Sequence, residues 1–189
     1  MHDTHPHAHP ALAEIQALFD RRGHLVYGEA ITQTDHALQC ATLAEQAQAR
    51  PSLVLAAWLH DIGHLQHQDA AAAVAEGRDD AHEALGAKFL HRWFGPEVSE
   101  PVRLHVAAKR YLCAVDASYV HGLSPLSQRT LAIQGGPMGP AEAAAFAQNP
   151  FCDDAVMLRR WDDTGKQLGQ TTAPQAHFMA MAGHFLQRS

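Results

Sequence analysis

Apolar residues recur along this chain at helical spacing, and no stretch sustains the alternation of a strand. Leu12, Ile15, Leu18 and Phe19 share one face of a helix over residues 10 to 22, which Gly23 ends. Thr32 or Thr34 suits the N-cap of a second helix that runs to about Arg50 and carries His36, Leu38 and Leu43. Pro51 opens a third as a first-turn proline. That helix is apolar through Ala56-Ala57-Trp58-Leu59 and runs into His60, Asp61 and His64, with Gly63 as a place for the turn to end. Residues 66 to 80 are polar and alanine-rich, with a break at Gly77-Arg78-Asp79-Asp80, and read as a segment able to move over a site. A helix from near Asp80 carries His82, Leu85, Phe89, Leu90 and Trp93 and stops at Gly95-Pro96. Residues 97 to 107 carry His105 and continue past Tyr111 as one helix or a bent pair. Helices over 124 to 133, 141 to 148, 151 to 163 and about 173 to 187 complete the chain, with a turn cluster from Gln134 to Pro140. The expectation is an all-α bundle of about seven to ten helices. It forms a single domain over residues 11–189 behind a flexible, histidine-rich tail at 1–10.

Composition narrows the function. The 189 residues suffice for one sizeable core. A net charge of −6 argues against a nucleic-acid binder, whose affinity would rest on a basic face, but leaves room for a local cationic pocket. Three cysteines, Cys40, Cys113 and Cys152, match no zinc spacing and suit a reduced, cytoplasmic protein. No apolar run approaches the ~20 residues that cross a bilayer, so no membrane partner is expected. Fifteen histidines are the compositional oddity, and their placement matters more than their number.

One helical turn brings His60 and His64 to one face, with Asp61 about 100° round from His60. Imidazole beside carboxylate suits iron, manganese or zinc, and a carboxylate has two oxygens with which to bridge two ions. A polar helix end facing water is the plainer alternative; Leu59, Ile62 and Leu65 oppose it by pulling the turn toward a core. His36, His82, His105 and Asp162 also fall on helices beside apolar neighbours. Together with His60 and Asp61 they form a set of six that could serve two ions and leave positions open for substrate, water or oxygen.

The order His36…His60-Asp61…His82…His105…Asp162 resembles the HD-domain superfamily of metal-dependent phosphohydrolases, in the form that binds two metals. Four further blocks resemble the mixed-valent diiron oxygenases of organophosphonate catabolism within that superfamily. They are Gly28 to Ala41, His105 to Leu112, Gln134-Gly135-Gly136-Pro137-Met138 and Arg160 to Gln167. The resemblance spans roughly residues 12 to 186. It implies an HD-domain helical bundle and an oxygenase that uses O2 and a Fe(II)/Fe(III) pair. The reaction would cleave the C–P bond of a 1-hydroxyalkylphosphonate, such as 2-amino-1-hydroxyethylphosphonate, to a carboxylate and phosphate. By the same resemblance His36, His60, His82, His105 and Asp162 are terminal iron ligands and Asp61 bridges. His64, Lys109, Ser127, Thr130 and Arg159 grip the phosphonate, Gln134 and the glycine pair shape the wall or supply backbone donors, and Glu29 faces the far end of the substrate. In that family a tyrosine three residues before the glutamate caps one iron. Here Val26 holds that place and Tyr27 stands one residue later, so either Tyr27 still reaches the iron or the cap is missing.

Other readings of the same residues are an HD phosphohydrolase of a nucleotide or phosphomonoester, which would activate water on the metals, and a non-enzymatic sensor of a phosphorylated ligand. The complete ligand set opposes the sensor. A purely structural helical protein would strand polar groups on apolar faces, at roughly 1–3 kcal/mol each. Nothing in the sequence bears on oligomeric state.

Overall fold

The computed structural model describes residues 9–26, 30–66 and 76–186. Over these it is all-α: α1 Pro10–Arg22, α2 Gln33–Gln46, α3 Pro51–Leu59, α4 Ile62–Gln66, α5 His82–Leu90, α6 Pro96–Val115, α7 Pro125–Ile133, α8 Pro140–Ala147, α9 Cys152–Thr164 and α10 Gln175–Leu186. A 3-10 turn, Tyr119–Gly122, links α6 to α7. The only extended pairing among the described residues is an isolated bridge between Val26 and Thr32. No described helix is long and apolar enough to cross a membrane.

The bundle is built around α3, where every residue from Ser52 to Leu59 is buried. A helix apolar on all sides must be covered on all sides. Trp58 stacks between Phe19 of α1 and Phe178 of α10, at 5.6 and 6.0 Å between ring centroids. The chain ends of several other helices follow local chemistry. At the start of α2 the cap is Thr32: its Oγ1 accepts from the Asp35 amide while the Asp35 carboxylate accepts from Thr32. α2 stops at Gln46 rather than near Arg50, because Gln48 turns into the left-handed region at φ 57° ahead of Pro51. The segment carrying His105 is one helix of 20 residues, not a bent pair. Pro101 lies in its second turn, where the missing N–H removes one bond near an end that has unpaired groups in any case.

The stretch around His60 departs most from expectation. The helix does not run on to Gly63; it breaks at His60 and Asp61 and restarts as α4, with Gly63 inside it. Gly63 is there because α4 lies against the start of α5. A Cβ on Gly63 would sit 1.9 Å from the carbonyl oxygen of His82, and one on Gly86 would sit 3.2 Å from the Gly63 amide. This close approach sets His82 opposite the His60–Asp61 break. Replacing Gly63 with alanine forces backbone apart in a packed interior, so the expected cost is about 1–3 kcal/mol of stability by thermal or urea unfolding. Metal affinity should weaken alongside, since His82 moves; unchanged stability and affinity would show that the contact relaxes freely.

Candidate metal centre

Five helical segments deliver six side chains to one place. His36 comes from α2, His60 and Asp61 from the α3–α4 break, His82 from the first position of α5, His105 from the middle of α6 and Asp162 from α9. His36, His60, His82, His105 and Asp162 are all buried. Their register is held by backbone: Gln39 of α2 exchanges hydrogen bonds with the main chain of Gln167, at 2.8 and 3.0 Å, beyond the end of α9.

The four imidazoles are oriented alike. Each turns Nδ1 outward to an oxygen: His36 to Gly165 O at 2.7 Å, His60 to Ala57 O at 2.9 Å, His105 to Val102 O at 2.7 Å and His82 to Asp80 Oδ1 at 2.9 Å. Nδ1 is thereby committed as donor, and each Nε2 is left facing inward with a lone pair. The inward atoms converge on Asp61. One of its oxygens lies 3.5 Å from His60 Nε2, 3.5 Å from His82 Nε2 and 3.7 Å from His105 Nε2; the other lies 3.7 Å from His36 Nε2. Asp162 Oδ1 is 3.3 Å from His36 Nε2 and 4.0 Å from His60 Nε2. Two atoms that each bind one ion at about 2.1 Å sit about 3–4 Å apart, so these spacings fit coordination. His60 Nε2 is fully buried without a hydrogen-bond partner, which is costly in a protein interior unless something else binds it. The donor set therefore fits metal, with Asp61 turned toward both halves.

Charge is arranged to match. Burial pushes the pKa of His60 down, and burial with the nearby His82 and His60 pushes that of His105 well below its ordinary value, so both are neutral, the form in which imidazole can bind a metal. Burial would raise Asp61, but His60, His64, His82 and His36 outweigh it and hold the carboxyl well below the usual range. His82 and His36 differ: burial lowers both, yet the Asp80 hydrogen bond and Asp61 raise His82 to about 9, and Cys40 with the Asp162 hydrogen bond raises His36 well above its ordinary value, so a metal bound there would displace a proton.

Next to this cluster is a cationic pocket, and the two share one cavity of about 80 Å³. Its wall away from the histidines carries Lys109, Ser127, Thr130, Gln134, Arg159 and Lys166. Lys109 is 2% exposed and donates to Thr130 Oγ1 at 2.9 Å. Arg159 reaches Ser127 Oγ at 3.3 Å and Asp162 Oδ2 at 2.7 Å, and also pairs with Asp163, which Tyr119 bonds in turn. Because Arg159 holds one oxygen of Asp162, only the other is directed at His36. Burial, with the Arg159 charge behind it, lowers Lys109 to about 7. The side-chain oxygen of Gln134 is buried, borders the cavity and has no hydrogen-bond partner.

Five of the six expected ligands, His36, Asp61, His82, His105 and Asp162, thus line one cavity with His64, Lys109, Ser127, Thr130, Gln134 and Arg159, and fully buried His60 reaches the cluster from behind, 3.5 Å from Asp61. Tyr27 and Glu29 lie outside the described residues, as does most of the 66–80 segment. The glycine pair is no source of donors to a ligand. The Gly135 and Gly136 amides bond Ala132 and Leu131 carbonyls, and their φ values of 97° and 70° turn the chain beside Gln134. Arg110 pins that turn through Gly136 O at 2.9 Å and through Glu142. Reading the sequence missed Lys166, one turn beyond Asp162, and Asp80. Lys166 was within reach of i, i+4 spacing; Asp80 offered only its place two residues before His82.

Residues 34–133 match the HD domain as a protein family. The chain is 49% identical over 155 residues to the hydroxymethylphosphonate dioxygenase of Gimesia maris, covering 80% of this chain and 76% of that protein. It is 40% identical over 168 residues to the [1-hydroxy-2-(trimethylamino)ethyl]phosphonate dioxygenase (glycine-betaine-forming) of Leisingera caerulea, covering 88% and 86%. A third relative, an uncharacterized protein of Acanthamoeba polyphaga mimivirus, is 32% identical over 165 residues, covering 86% and 75%.

Proposed function

The chain belongs to the HD-domain family, among its phosphonate dioxygenases, and from that premise we propose that it is a diiron enzyme. It cleaves the C–P bond of a 1-hydroxyalkylphosphonate with O2. The atoms balance without a further reductant: R–CH(OH)–PO3 and O2 give R–COOH and phosphate, with both oxygens of O2 accounted for in the products. The observation that carries the reading is the shared cavity, in which a two-sided His/Asp cluster faces a buried lysine–arginine pocket. A metal pair alone would serve many reactions; the adjoining cations select a dianionic head.

His36, His60 and Asp162 would hold one ion, His82 and His105 the other, with Asp61 between them. Bound as a mixed-valent Fe(II)/Fe(III) pair, the iron supplies the one-electron chemistry by which O2 reacts with a C–H bond. The protein's own work is placement. Lys109, Thr130, Ser127, Arg159 and His64 seat the phosphonate, which fixes C1 and its hydroxyl over the cluster at two points rather than one. Burial excludes water from the reacting carbon, and Gln134 offers an unpaired oxygen to a substrate hydroxyl or ammonium. The names of the Gimesia maris and Leisingera caerulea relatives both specify a phosphonate with a hydroxyl on the phosphonate carbon. Three free cysteines suit a reducing compartment, and we place the protein in the cytoplasm.

The test is an anaerobic Fe(II) titration followed by O2 and a panel of 1-hydroxyphosphonates, beginning with hydroxymethylphosphonate. Phosphate release should match O2 uptake one to one. No phosphate from any member would end the proposal, and release without O2 would replace it with hydrolysis.

A further inference from the structure

We propose that Asp80 is a positioning residue: a single carboxylate clips the phosphonate-facing ring of His64 to the metal-facing ring of His82. The inference rests on the reading of the cavity given above. Each Asp80 oxygen takes one ring. Oδ1 is 2.9 Å from His82 Nδ1 and Oδ2 is 2.8 Å from His64 Nδ1, the first an aligned hydrogen bond and the second an ion-pair contact off that alignment. The rings lie face to face, 3.8 Å between centroids and 20° between planes. Their far nitrogens point the same way, at 3.5 and 4.0 Å from Asp61 Oδ1. The Asp80 side chain is 6% exposed, so water competes little for it.

The carboxylate is itself held in place. The Asp79 side chain accepts from the Ala81 amide at 3.2 Å, and Ala81 takes a left-handed conformation at φ 48° just before α5. That turn folds Asp80 back over the first residue of its own helix, while His64 arrives from α4. The same Gly63 contact that seats α4 on α5 brings the two rings within stacking distance.

Two consequences follow. His82 keeps Nδ1 committed to Asp80 and Nε2 turned to the metal, as a backbone carbonyl does for each of the other three ligand histidines. His64 meets the second Asp80 oxygen at its Nδ1 and stacks on the His82 ring, so Asp80 bears on its orientation as well. Metal affinity and phosphonate affinity are therefore joined through one carboxylate whose two oxygens each face one of the rings.

Asp80→Asn tests this, because it keeps the shape while presenting one amide N–H to a ring that needs an acceptor. At anaerobic equilibrium its Fe(II) dissociation constant should rise about 10–100-fold, the loss typical when a ligand histidine loses its orienting partner. At saturating Fe(II), its dissociation constant for methylphosphonate, read by calorimetry, should rise at least fivefold. Asp80→Glu should recover part of both. In a His64→Ala background the phosphonate penalty should vanish while the iron penalty remains. Values within twofold of wild type on both readouts would overturn the proposal, as would a phosphonate penalty that persists in full without His64. If wild-type protein binds iron but no methylphosphonate, the cavity reading fails with the His64 half, and the iron titration alone decides the His82 half.

Discussion

Asp61→Ala is expected to abolish turnover, lowering kcat by at least about a thousandfold, and to end paired metal binding. Asp61 lies within 4 Å of all four imidazoles of the cluster, with one oxygen toward His60, His82 and His105 and the other toward His36. In the proposed diiron centre, alanine would remove the carboxylate that both ions share, together with its negative charge. It also leaves four buried imidazoles converging on an apolar gap, so a second ion has too few ligands to stay. The measurement is metal stoichiometry by elemental analysis, with the magnetic coupling of the pair read by electron paramagnetic resonance. Two coupled irons per chain in Asp61→Ala would contradict the bridging role. Asp162→Ala is a weaker change, since it strips a terminal ligand and leaves the bridge.

The second large effect is expected at Lys109. Its ammonium is almost wholly buried, with Thr130 as its side-chain hydrogen-bond partner and Arg159 as a competing cation nearby. A charge-assisted bond to phosphonate here is worth about 1.5–3 kcal/mol, so Lys109→Met should lower kcat/KM by about 10–150-fold. The pH dependence makes the assignment specific. Burial and the Arg159 charge depress the Lys109 pKa to about 7, so the gripping, protonated form is present below pH 7 and is lost as pH rises through it. Wild-type kcat/KM, which reports the free enzyme, should carry a limb that falls above about pH 7. A bound dianion restores the proton, so the same limb in kcat should move to higher pH. Lys109→Met should lack the limb; its persistence there would assign the titration to another group.

How much of this could be read from the chain depends on how local the cause is. α1 and α7 follow their apolar spacing and capping residues, and their observed bounds lie within about a residue of the expected ones. The end of α2 did not, because a left-handed Gln48 has no signature in an apolar pattern. His36, His60, His82, His105 and Asp162 stood out as ligand types on otherwise apolar helix faces, and the family resemblance supplied what spacing could not. The anion pocket was legible only through that resemblance: Lys109, Ser127, Thr130 and Arg159 look like ordinary surface residues until α6, α7 and α9 bring them together.

By itself, then, the sequence determined the all-α class, the order of the helices and the chemical kinds of side chain available, since propensity, periodicity and capping act over a few residues. Tertiary structure alone decided that the helix breaks at His60 and Asp61, that Gly63 is needed for contact rather than for a turn, and that Asp80 stands between His64 and His82. Those outcomes depend on the approach of α4 to α5, two backbones brought within van der Waals contact by burial around α3. No window along the chain holds both sides of that contact at once.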